Sequence, residues 1–133
     1  MRYLLDTDIC IYLIKKKPAS VINKLTRLEN RDVALSTVSL FELQFGVENS
    51  QQFEKSKLAL NQFVASIPSI LTFNIQAAEQ AAKIRSDMKN KGTPIGPYDL
   101  LIAAVALSND LILVSNNVRE FQRVEGLKLE NWV

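Results

Sequence analysis

The chain has 133 residues, 47% of them hydrophobic and 23% charged, which is enough for one globular domain with its own core and too little for two. Sixteen lysines and arginines against fourteen aspartates and glutamates leave a net charge of +2, so bulk charge points to no particular partner. The absence of histidine excludes imidazole bases, Ser-His triads and imidazole zinc sites, and the single cysteine excludes an internal disulfide.

In chain order, short apolar runs alternate with longer helical patterns. The strand-sized runs are 3–5 (YLL), 33–36 (VALS), 70–73 (ILTF) and 111–114 (LILV), and the terminal LKLENWV offers a weak edge strand. Helices are expected near 8–15, 19–28, 39–48, 52–66, 75–90 and 98–108. In the fifth, Ala77, Ala81, Ile84 and Met88 fall on one stripe while Lys83, Asp87 and Lys89 face solvent. The sixth, LLIAAVAL, is apolar all round and should be central. Strands separated by helices predict an α/β fold, a central parallel sheet of four to five strands with helices on both faces. Cys10, inside an apolar stretch, reads as small core packing. A lone cysteine makes the cytoplasm the expected compartment, and since no apolar run approaches ~18 residues and the acids begin early, neither a membrane span nor a secretory signal is expected.

Three acids follow strands in the same manner. Asp6 comes directly after the first, Glu42 lies in the first turns after the second, and Asp99 opens the central helix. In a parallel sheet such positions share the carboxyl edge, where residues distant in sequence can meet. Carboxylates gathered without histidine or cysteine make an oxygen-donor site suited to Mg²⁺ or Mn²⁺, and such a cation can polarise a phosphoryl oxygen and activate water. Each acid also has a structural explanation. Acids cap helices, Ser39 and Glu42 match the S-x-x-E capping box, and Asp99 after Pro97 suits a helix dipole. The shared edge favours the site. Asp32, Asp87 and Asp110 read as solvated charges on turns or polar faces.

With these residues placed, the chain resembles the PIN-domain ribonucleases and, within them, the VapC-type toxins of toxin–antitoxin pairs. The resemblance runs almost end to end through LLDTDICIYLI, STVSLFELQFG, GPYDLLIAAVA and LVSNNVREFQRVEGLKLENWV. It implies a single PIN domain over 1–133, with Asp6, Glu42 and Asp99 at the metal-binding acid positions, and Mg²⁺-dependent endonucleolytic cleavage of RNA, with Mn²⁺ as a substitute. It also implies a cognate VapB-type antitoxin that covers the site and touches DNA on the toxin's behalf, a toxin homodimer, and no membrane association. Two departures stand out. Many relatives carry an acid after the last main strand, roughly where this chain has Asn117, a catalytic candidate that can accept from a metal-bound water but adds no charge. Conversely, a position commonly neutral holds Asp8, which can support the cation's surroundings or simply cap the first helix. Ser115 and Asn116 are accessory candidates beside Asn117.

Weaker candidates are the lysine run Lys15, Lys16 and Lys17, more economically a solvated helix end, and Arg85, Arg119 and Arg123 as RNA contacts. Tyr98 suits either stacking on an unpaired base or burial against the sheet. Phe121, Val124, Leu127 and Trp132 should tack the C-terminal segment to the body. Two competing readings remain at this level. Asp6-Thr7-Asp8 after a strand also resembles the first motif of haloacid-dehalogenase-type phosphatases, with Asp6 as nucleophile, although no later lysine or paired-acid motif follows. The other is a non-catalytic binding module whose acids only cap helices.

Overall fold

The structure, a computed structural model, describes residues 1–133. Five strands form one parallel sheet in the order β3-β2-β1-β4-β5, with β1 at Tyr3–Leu5, β2 at Val33–Ser36, β3 at Ser69–Leu71, β4 at Ile112–Val114 and β5 at Leu129–Glu130. The helices are α1 (Thr7–Lys15), α2 (Ala19–Thr26), α3 (Thr37–Glu48), α4 (Phe53–Ser66), α5 (Ile75–Lys91), α6 (Pro97–Ser108) and the single turn α7 (Val118–Phe121). The architecture anticipated from the alternation of runs is therefore present, including the edge strand in the C-terminal segment.

Period-two alternation sorts the strand residues between two cores. Leu4, Ala34 and Leu113 point to one side, against α5 and α6. Tyr3, Leu5, Val33, Leu35 and Val114 point to the other, with Ile9, Cys10, Leu43 and Leu60 of α1, α3 and α4. Leu4, Leu5, Leu35 and Leu113 are wholly buried, each worth roughly 1.5–3 kcal/mol of transfer free energy. The apolar helix α6 buries six of its residues against the sheet and α5, as its all-round hydrophobicity requires. The C-terminal segment is tacked down as expected. Phe121, Val124 and Trp132 are buried, Leu127 packs on the core, and Trp132 meets Tyr3 edge-on at 5.4 Å.

Several boundaries differ from the sequence reading for local reasons. The third strand spans 69–71 rather than 70–73, because Asn74 turns out to accept from the Ala77 N–H and start α5. Helix α3 begins at Thr37 rather than 39, since the capping side chain is Ser36, which accepts from the Ser39 N–H at 3.0 Å. Ser39 is thus a buried first-turn residue, and the capping-box explanation of Glu42 falls away. Helix α5 ends on Gly92, whose φ of 69° lies in the left-handed region and lets its N–H reach the carbonyls of Met88 and Lys89. The turn α7 and a 3₁₀ turn at Asn30–Asp32 were not anticipated, being too short to show periodicity.

Candidate active site

The carboxyl ends of β1, β2 and β4 and the start of α6 converge on one edge. Asp6 continues the β1–β4 ladder, its N–H donating to the Val114 carbonyl at 2.9 Å, and its side chain is buried at 4% exposure. Both carboxylate oxygens have donors: the Thr7 N–H at 2.8 Å and the Ser115 hydroxyl at 2.7 Å. Asp8 accepts from the Ile9 N–H at 2.7 Å and the Asn116 N–H at 3.2 Å. Thr7 Oγ1 lies 2.7 Å from Glu42 Oε1 and 3.0 Å from Ser39 Oγ. Its single proton belongs with the carboxylate, so α1 and α3 are clasped across the site.

A fifth acid completes the cluster. Glu120, on α7, accepts from the Gly96 N–H at 2.6 Å and the Asn117 side-chain amide at 2.7 Å, and it is hydrogen-bonded to Asp99. The sequence analysis gave the place after the last main strand to Asn117 and missed Glu120. The signal was available in the spacing Asn117-Val118-Arg119-Glu120, an N-terminal helix pattern directly after the last main strand. Asn117 serves here as the bracket that holds Glu120, and its own N–H donates to Ser115 Oγ at 2.9 Å.

The electrostatics follow from crowding. Burial, reinforced by the neighbouring Asp8 charge, pushes Asp6 up to about 7. Burial also lifts Asp99 to about 7, aided by its hydrogen bond to Glu120 and by the charges of Glu120, Glu42 and Asp8. Asp8 is raised by burial as well. Burial pushes Glu120 the same way, but the Gly96 N–H, the Asn117 amide and the Asp99 hydrogen bond outweigh it and hold its carboxyl below the usual value. None of the five acids is in an ion pair, the three salt bridges lying elsewhere at Glu29–Arg31, Asp87–Lys91 and Asp110–Lys128.

Such a set is all oxygen and negatively charged, the donor chemistry of a hard divalent cation. No three of these acids close into a ready-made ligand cage. In donor chemistry the residues present nonetheless fit the implied group.

The remaining candidates divide. Ser115 is buried against Asp6, while Asn116 braces the loop through Tyr12 Oη and Asn131, both at 3.3 Å. Lys15, Lys16 and Lys17 sit at the far end of α1, about 13 Å of helix from the acids, and are exposed as a solvated helix end would be. Arg85, Arg119 and Arg123 are exposed on α5 and around α7, with the Arg123 charge felt at Glu120. Tyr98 is not buried against the sheet: it is 46% exposed and packs on the equally open Phe41, ring centres 5.6 Å apart.

A five-stranded parallel sheet with a histidine-free carboxylate cluster at its carboxyl edge defines a class of α/β proteins whose chemistry rests on oxygen ligands. Residues 3–127 match the PIN domain family model. The chain is 42% identical over 132 residues to the tRNA(fMet)-specific endonuclease VapC of Shigella flexneri, covering 99% of this chain and 98% of that one. Its structure matches VapBC2 from Rickettsia felis bound to a promoter DNA fragment (TM-score 0.92, 38% identity, both chains fully covered). It also matches DNA-bound VapBC from Salmonella typhimurium (TM-score 0.93, 37% identity, 100% and 99% covered). The chain belongs to the PIN-domain family, in its VapC ribonuclease branch.

Proposed function

We propose that this protein is the toxin of a VapBC-type pair, an endoribonuclease that uses Mg²⁺, or Mn²⁺ in its place, to cut structured RNA of the tRNA class at an accessible single-stranded loop and so inhibit translation. The observation that carries the reading is the cluster of five carboxylates, none of them in an ion pair, at the carboxyl edge of a VapC-type sheet. The Shigella relative's specificity for tRNA(fMet) supports tRNA as the substrate class.

Asp6 and Asp99 hold the ion most directly, with Glu42 and Glu120 contributing directly or through water, and Asp8 adding charge behind Asp6. When bound, a divalent cation of this kind supplies charge stabilisation at a phosphoryl oxygen and activates water for attack. The chain's own residues fix the geometry. Ser115 and the Thr7 N–H lock the Asp6 rotamer, the Thr7 hydroxyl steers Glu42, and Gly96 with Asn117 presents Glu120 toward Asp99. An unpaired loop suits this centre better than a duplex groove, because splayed nucleotides bring the backbone to a confined site.

The partner is a cognate VapB-type antitoxin that covers the acids, placing an Arg or Lys where the cation would sit, since clustered carboxylates attract a desolvated cation strongly. The DNA-bound VapBC structures support a role for DNA through the antitoxin. A toxin homodimer acting in the cytoplasm completes the reading, and no helix is long and apolar enough to cross a membrane. The phosphatase alternative gains nothing from the site, where no lysine pairs with Asp6.

The test is sequencing of RNA 5′ ends after brief expression of the wild type and of Asp6→Asn. Discrete new ends confined to the wild type are expected. The same ends at the same abundance with the variant would overturn the assignment.

A further inference from the structure

The acidic centre leaves one problem unsolved: it repels the very backbone it must hold, and no lysine or arginine forms an ion pair within it. Within one turn of Asp99 along α6 lies a cavity of about 520 Å³, formed where the end of α5 meets the connection into α6. That volume falls in the ~300–1,000 Å³ range of sites for small organic groups. Its floor is apolar, from Met88, Ile95 and Leu100, and its rim carries Arg85 and Lys89. The two cations stand four residues apart on one face of α5, a like-charge spacing that weakens a helix slightly, and neither is in a salt bridge. The neighbouring Asp87 and Lys91 do pair, so the helix neutralises its charges elsewhere and leaves this rim positive.

The cavity is joined to the acids by one turn of backbone. Pro97 and Leu100, which wall it, bracket Asp99 in the first turn of α6, and the Gly96 N–H just before them holds Glu120. An apolar floor under a cationic rim matches a nucleotide, with base or ribose on the floor and phosphate at the rim. We propose that the Arg85–Lys89 cleft is a subsite for a nucleotide of the RNA strand flanking the scissile phosphodiester. The inference rests on the ribonuclease reading above. It makes Arg85 and Lys89 substrate-positioning residues, bound to phosphates that the carboxylates themselves would reject.

The experiment uses the full chain and its double variant Arg85→Gln/Lys89→Gln. A second double variant, Lys24→Gln/Arg27→Gln, makes the same charge change at the C-terminal end of α2, which packs on the opposite face of the sheet. Binding of a fluorescein-labelled RNA stem–loop is measured in EDTA across a salt series, and cleavage of bulk tRNA is measured with Mg²⁺. The cleft variant should bind roughly tenfold more weakly, with the salt slope reduced by about 1.4, two single-strand phosphate contacts at about 0.7 each. Its KM should rise with kcat retained, and the α2 control should stay near wild type. Unchanged affinity and slope in the cleft variant, or an equal loss in the control, would overturn the subsite and leave the ribonuclease reading standing. Failure of the wild type to bind or cleave any RNA would instead remove the reading on which the subsite rests.

Discussion

Single residues here are fixed by their neighbours more than by their type. Asp6 is a helix cap by local geometry, yet it is buried beside Asp8 and drawn to about 7, a state capping alone does not require. Neutralising one of the crowded acids should therefore relieve repulsion while removing function. Asp99→Asn is expected to lose at least about a hundredfold in cleavage rate, several kcal/mol of charge stabilisation being at stake. Its melting temperature without metal should match or exceed wild type, so calorimetry and a cleavage assay on one preparation check both halves. Asp8→Asn keeps the size and the capping oxygen that meets the Ile9 N–H but deletes the charge. It should raise the Mg²⁺ concentration for half-maximal cleavage with little change in melting temperature. An unaltered Mg²⁺ titration would reduce Asp8 to a cap.

At the scale of elements, the helices that carry the site are held by their ends. Helix α5 stops at Gly92, and its stop sets the path of 93–96 into α6, hence the positions of the Gly96 N–H and Asp99. An added Cβ at Gly92 would meet nothing within 4 Å, so the penalty for substitution is purely conformational, from a φ of 69°. Gly92→Ala should cost about 1 kcal/mol of stability. Urea melts would show a lower midpoint with the slope unchanged. Most of this element map was legible in the residues: the Ala77–Met88 stripe, the apolar α6 and the four main strands all lie close to where periodicity put them. The misses share a cause. Ser36 and Asn74 act as caps by accepting from N–H groups three residues on, and a polar residue at or just after a strand does not show by type alone whether it caps or ends a turn.

Across the whole molecule the acids couple stability to pH. Asp6 and Asp99 titrate near 7 when folded and near 3.8 when unfolded, so the folded chain binds more protons between those values. Stability then falls as pH rises from about 4 to about 7, with the full penalty above the folded value, because stability declines wherever the native state holds the extra protons. Thermal melts in EDTA should show a falling melting temperature over that window. Mg²⁺ should restore it most at alkaline pH, where the carboxylates are free to receive the ion. A double variant, Asp6→Asn/Asp99→Asn, should flatten the slope and the Mg²⁺ response together. A flat profile in the wild type would mean that the two acids are not raised.

Strand-helix alternation and period-two burial are local and repeat along the chain, so the sheet, its parallel sense and the edge shared by Asp6, Glu42 and Asp99 are written in the order of residues. Which other groups join them depends on how the elements pack. Glu120 reaches Asp99 because α7 folds back over Gly96, a contact spanning 24 residues, and Ser115 reaches Asp6 across 109. The cleft at Arg85 and Lys89 exists only because the end of α5 lies against the start of α6. Spacing in a sequence encodes which face of its own element a residue occupies. Which elements face one another is set by the packing of the whole core.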